Sequence, residues 1–158
     1  MSTVGLPPWP VLARGANNLW PLVTVRSLQY LLNAHGAGLT VDGLFGAKTD
    51  TTVRASQRAH GLVVDGEVRQ QTWSAVIVTV HRGSAGPAVQ AVQDQANFRN
   101  GRGDGSLTLQ VDGVFGPRTE AWVRGFQSAV AHDVPGFAID GSVGPMTWQA
   151  LVTETLSG

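Results

Sequence analysis

The chain has 158 residues, 42% hydrophobic and 14% charged, enough for one ordinary domain or two very small ones. Eleven basic residues balance eleven acidic ones, so no global field gathers nucleic acid or an anionic membrane. With no cysteine, disulfides, thiolate zinc sites and thiol nucleophiles are excluded together.

In chain order, residues 1–21 form a lead-in containing LPPWP, which we expect to pack on the first folded unit. It has no basic stretch preceding an apolar run, and no later segment nears the ~18 apolar residues of a membrane span, so we expect a soluble chain with no recognisable export signal. Val25, Leu28, Leu31 and Leu32 recur at helical spacing, predicting an amphipathic helix that stops at His35-Gly36. VDGLFG (41–46) is turn text. A second helix comes next, with Thr49, Thr52, Val53, Ser56 and Ala59 predicted on one side. The extended piece LVVDG (62–66) leads to a short last helix starting near Arg69 and carrying Trp73.

The whole series is then written again. Val41, Asp42, Gly43, Phe45, Gly46, Thr49, Val53, Arg54 and Gln57 return 70 positions later as Val111, Asp112, Gly113, Phe115, Gly116, Thr119, Val123, Arg124 and Gln127. VRSLQYLLN (25–33) matches VQAVQDQAN (89–97), and VVDGEVRQQTW (63–73) matches AIDGSVGPMTW (138–148). The extra residues of the second copy fall around NGRGDGSLT and AHDVPGF, where a loop tolerates added length. The second copy sharpens the face of its middle helix to Thr119, Trp122, Val123, Phe126 and Val130, and Pro117 and Pro145 suit first helical turns. The pattern predicts two all-α modules of three helices each, the first over residues 22–79 and the second over 87–158, with 80–86 as linker. Units this small bury only about 60% of their unfolded surface, so Trp73 and Trp148 are expected as core plugs, and Phe45 and Phe115 beside them.

The ordered motifs VRSLQYLL, VDGLFGAKT, VRASQ and LVVDGEVRQQTW, then VQAVQ, VDGVFGPRT, VRGFQ and FAIDGSVGPMTW, resemble the bacterial peptidoglycan-binding domain of the three-helix type, found beside many cell-wall hydrolases. The resemblance spans about residues 22–79 and 87–152 and departs in two places. Ser56 stands where the family usually has Phe, and Arg69-Gln70 replaces the Gly-Pro pair seen at Gly144-Pro145. It implies two tandem wall-binding modules.

Within that frame Asp42, Asp65, Asp112 and Asp140 are read as turn organisers accepting backbone N–H groups at the next helix start. Gln29, Gln57, Gln93 and Gln127 are read as amides tying helices to those turns. A peptidoglycan reader needs guanidinium forks or amides for stem-peptide carboxylates, and an aromatic for sugar. Arg54 and Arg124, each one residue past a core valine, point off the apolar stripe and are the first ligand-binding candidates. The competing reading is a solvated helix surface. Arg58, Arg118 (which shares its charge with Lys48) and Tyr30 are secondary candidates, with Trp9 and Trp20 as further aromatics.

Chemistry is poorly supported. Glu67, Glu120 and Glu154 form no carboxylate pair suited to glycoside hydrolysis. His35, His60, His81 and His132 lack zinc-ligand spacing, and no nucleophile elbow occurs. Arg102-Gly103-Asp104 sits in a glycine-rich insert that yields such a tripeptide by chance. The expectation is therefore a protein without catalytic residues, metal or cofactor, acting at the bacterial cell wall by an unspecified export route. It would tether itself or a partner to peptidoglycan. The rivals are an adaptor of a phage or contractile injection particle that docks proteins, and an accessory subunit of a separate wall hydrolase.

Overall fold

The computed structural model describes residues 5–16, 23–100 and 109–153. Trp20, Glu154 and the Arg102-Gly103-Asp104 tripeptide lie outside them. Six helices are present among the described residues: α1 (Thr24–Ala34), α2 (Ala47–Ala59), α3 (Gln70–Val76), α4 (Pro87–Asn100), α5 (Pro117–Asp133) and α6 (Pro145–Val152). The expected all-α, twice-three-helix architecture is the one found. Extended pairing among the described residues is confined to three isolated antiparallel bridges, Leu12 with Val68, Val80 with Val143 and Ala85 with Val114.

Helix boundaries arise from local chemistry. α2, α5 and α6 each begin after an extended glycine, Gly46, Gly116 or Gly144, and α5 and α6 place proline at the first helical position, where its missing N–H costs no hydrogen bond. α1 ends at His35, and Gly36 takes the left-handed conformation (φ 92°) that a helix stop requires. The buried row of α2 is Thr49, Val53 and Gln57. Ser56 is only partly covered and Ala59 is exposed, a correction to the predicted face: the small side chain at position 56 cannot reach the interior as an aromatic there would, and Gln57 is buried as Gln127 is in α5. α5 buries the corresponding Thr119, Val123 and Gln127, and adds Phe126 and Val130.

Trp73 and Trp148 are fully buried, as expected of core plugs, each with its indole N–H donating to a backbone carbonyl, Pro10 O and Val78 O, at 2.8 Å. Those acceptors lie in segments whose sequence reads as connection. Gly15 N donates to Phe45 O and Phe45 N to Ala16 O, while Gly83 N donates to Phe115 O and Phe115 N to Ser84 O. Residues 10–16 and 78–84 thus do the same work, each lacing one side of a module, and 80–86 is laid along the second module. Trp9 stacks on Trp73 (ring centroids 5.7 Å apart), so the proline-rich lead-in packs on the first module. It also reaches the second, through Gln149 Nε2 donating to Pro7 O at 2.7 Å.

The modules do not stand apart. α1 packs along α4, and the buried apolar side chains form one contiguous cluster running from Val25, Leu28 and Leu31 to Val89 and Val92 and on to Trp148 and Leu151. Two separate cores are therefore not what forms. Each module is too small to bury its first helix on both sides, and the two first helices cover each other. Polar groups fix the join: Arg26 makes a two-pronged ion pair with Asp94 (2.9 and 2.7 Å), and Gln95 donates to Ser27 Oγ at 2.9 Å in full burial.

Candidate functional site

The turns are built around four glutamines. Gln29 Oε1 accepts from Gly43 N, and its amide N–H groups reach Asp42 Oδ1, Leu44 O and Thr49 Oγ1 at 3.0–3.2 Å. Gln57 repeats the set with Gly66, Asp65, Glu67 and Thr72; Gln93 with Gly113, Asp112, Val114 and Thr119; Gln127 with Gly141, Asp140, Ser142 and Thr147. One half-unit, a glutamine on a helix, an Asp-Gly turn and a threonine at the next helix start, is thus used four times. The four glutamines and four threonines are buried. Satisfying an amide there demands this fixed set of partners, which is why the text repeats.

The aspartates organise the turns, with one correction. Each Oδ1 accepts from the N–H two residues on, at Leu44, Glu67, Val114 and Ser142 (2.9–3.0 Å), and so closes an Asx turn before the helix begins. These bonds hold the carboxyls below the usual carboxylate range. The Gln29 amide is the chief cause at Asp42, and the backbone N–H of the turn is the chief cause at Asp65, Asp112 and Asp140.

Arg54 and Arg124 do point off the core, but each lies on the second Asp-Gly turn of its module. Arg54 pairs with Asp50 (3.2 Å) and donates to Asp65 O (3.2 Å); Arg124 pairs with Glu120 (3.7 Å) and donates to Ile139 O (3.3 Å). Their guanidinium groups cover Gly66 and Gly141, where an added Cβ would meet them. Tyr30 is partly buried near the Arg26–Asp94 pair, and burial pushes its phenol pKa up; it belongs to the join between modules rather than to an open face. Arg58 is exposed on α2, away from the turns' hydrogen bonds.

Arg118 and Lys48 occupy a different setting. Beside the first Asp-Gly turn of each module lies an open cleft, about 380 Å³ in the first and about 350 Å³ in the second. The first is lined by Leu39, Asp42, Leu44 and Lys48, the second by the equivalent Leu109, Asp112, Val114 and Arg118. Each floor ends at the glycine that opens α2 or α5, and among the described residues no side chain caps either helix start. Cation, helix start and the half-exposed apolar Leu44 or Val114 thus converge twice. The charge shared by positions 48 and 118 is visible in the sequence, but a helical pattern alone ranks it below Arg54 and Arg124. The signal that distinguishes them is position: the second residue of a helix faces the preceding turn. Among the described residues no group of three His, Asp or Glu could hold a metal ion, and no helix is long and apolar enough to cross a membrane.

The sequence model of the family described as "Putative peptidoglycan binding domain" matches residues 23–76 and again 85–151. A Zinc D-Ala-D-Ala carboxypeptidase of Streptomyces albus G is 37% identical over 127 residues, 80% of this chain and 44% of that protein. The crystal structure of a fused Zn-dependent amidase/peptidase and peptidoglycan-binding domain-containing protein from Clostridium acetobutylicum is 32% identical, covering 58% of this chain and 45% of its own, with a TM-score of 0.38. The chain thus spans less than half the length of these two relatives.

Proposed function

The chain belongs to the peptidoglycan-binding domain family, carrying two tandem copies, and from that premise we propose that it holds peptidoglycan through the cleft beside the first Asp-Gly turn of each module. The observation that carries this reading is the duplication of the cleft, with a cation at the same helical position, Lys48 or Arg118, beside an uncapped helix start. A stem-peptide carboxylate seated there meets both an ammonium or guanidinium and the positive end of the helix dipole. Arg54 and Arg124 then serve as clamps on the second turns. Two shallow sites on one packed body reinforce each other on a polymer, because the second contact is made at high effective concentration.

The function is tethering, and a relative suggests the cargo. The Streptomyces albus G relative is by its printed name a zinc carboxypeptidase, and more than half of its length lies outside the part that matches this chain. We therefore read this chain as the wall-anchoring part that positions a hydrolase, whether joined to it or separate. Co-sedimentation with purified sacculi tests the reading. Wild type is retained, Lys48→Ala and Arg118→Ala each weaken retention several-fold, and the double variant loses more than either alone. Equal retention of all four proteins removes the clefts from the function, and no retention of wild type removes wall binding itself.

A further inference from the structure

We infer that the second module alone carries a saccharide-stacking subsite on Trp122, contiguous with its cleft, so that the glycan strand is read by one module and not the other. The inference rests on the wall-binding reading and deepens it.

Trp122 lies one helical turn after Arg118 on α5. A second concavity of about 280 Å³, lined by Leu109, Arg118, Ala121 and Trp122, adjoins the first cleft and shares Leu109 and Arg118 with it. The indole is held flat from behind. It stacks nearly parallel on Phe126 (centroids 5.2 Å, planes 10° apart), and Phe126 in turn lies under the Arg99 guanidinium, 4.9 Å from the ring centre. Arg99 is itself fixed by donating to Ala150 O and Leu151 O at the end of α6. This ladder of guanidinium, phenyl and indole gives a rigid aromatic face in a wall of the groove. The first module has His35, Ser56 and Thr52 at the three positions, so it has no such face.

The occupant that fits is a pyranose ring. Its axial C–H groups present a weakly positive, apolar face to the negative face of an indole, and its rim of hydroxyls and amides suits an adjacent guanidinium. Continuity with the cleft sets the order along the groove: carboxylate-bearing peptide by Arg118 and the start of α5, sugar over Trp122.

The test uses the full chain with two probes, peptide-free glycan strands obtained by amidase digestion of sacculi and the free stem peptide. Affinities are measured by titration, and the Trp122 indole N–H resonance is tracked by NMR. Expected are a shift of that resonance with glycan, a loss of about ten-fold in glycan affinity for Trp122→Ala, the order of one aromatic stack, substantial recovery in Trp122→Phe, and stem-peptide affinity unchanged within about two-fold. Undiminished glycan binding by Trp122→Ala overturns the inference. So does a resonance moved only by the stem peptide, or concentration-dependent dimerisation that the alanine variant abolishes, which would give this face to a second copy. Wild type that binds sacculi but not peptide-free strands sinks the subsite alone; wild type that binds neither sinks the wall-binding reading with it.

Discussion

In the second module Arg99, Phe126 and Trp122 stack at positions that hold His35, Ser56 and Thr52 in the first. Elsewhere the two modules agree closely, from the glutamine hubs to the paired amides of Asn33 with Leu39 and Asn97 with Leu109. Even position 35/99 keeps its duty: His35 Nε2 contacts Val76 O at 2.9 Å, where Arg99 reaches the end of α6. The lesson is that the turn chemistry defines the fold, and the face it leaves unconstrained is where the copies have separated.

The largest test of that equivalence is at the core plugs. Trp73→Ala and Trp148→Ala should each cost about 3–5 kcal/mol. Trp73→Ala should exceed its counterpart by roughly 0.5–1.5 kcal/mol, because it also loses the stack with Trp9. Urea unfolding of both variants, and of Trp9→Ala, measures the difference; equal costs would show that the lead-in adds nothing to the first module.

Next come the hubs. Replacing Gln57 or Gln127 by leucine leaves a buried Gly N–H and Thr hydroxyl short of a partner, about 1–3 kcal/mol in each module. Matching losses would support one half-unit used four times, and a loss confined to one module would break it.

A finer contrast concerns Gly66 and Gly141, both left-handed at φ 75° and 76°. Alanine at either costs on the order of 1–2 kcal/mol in backbone strain. Gly66→Ala should cost more, since its Cβ would sit 2.5 Å from Asp50 Oδ1, whereas the tightest contact at Gly141 is Arg124 Nε at 3.1 Å. Thermal denaturation of the two variants decides the order.

The smallest effect is in the acid limb. The four turn aspartates have folded-state pKa values below the ordinary one, so their stabilisation is fully present above the unfolded carboxylate value, near pH ~4, and is lost as pH falls through the lower folded values. The copies differ in cause: Gln29 leads at Asp42, and the Val114 N–H leads at Asp112. Gln29→Leu should therefore raise the pKa of Asp42 more than Gln93→Leu raises that of Asp112, as carboxyl-carbon NMR titration would show. Equal upward shifts would remove the distinction.

Much of the fold is legible in the sequence. Asp42, Asp65, Asp112 and Asp140, with Gln29, Gln57, Gln93 and Gln127, stand out because each buried amide must find its partners within one turn, which forces the same letters at the same spacing. The threonines that complete each set are visible in the repeat too, but a small hydroxyl carries no signal of burial. The shared pair Arg14-Gly15 and Arg82-Gly83 is harder to see: extended segments have no helical period, and their offset of 68 matches no other repeat offset. Arg54 and Arg124 are placed correctly off the core by helical spacing, but their turn carbonyls lie 11 and 15 residues away, beyond any helical pattern.

By itself, then, the sequence determined the half-unit and its duplication, since a turn closed by a nearby glutamine, aspartate and threonine is satisfied locally wherever it is written. Only the tertiary structure decided that α1 and α4 fuse two modules into one core, that Arg26 finds Asp94, and that Arg99 of α4 comes to lie over the Phe126 ring of α5. Those contacts join helix faces far apart in the chain, and burial of apolar surface selects among such pairings without leaving a periodic mark in the sequence.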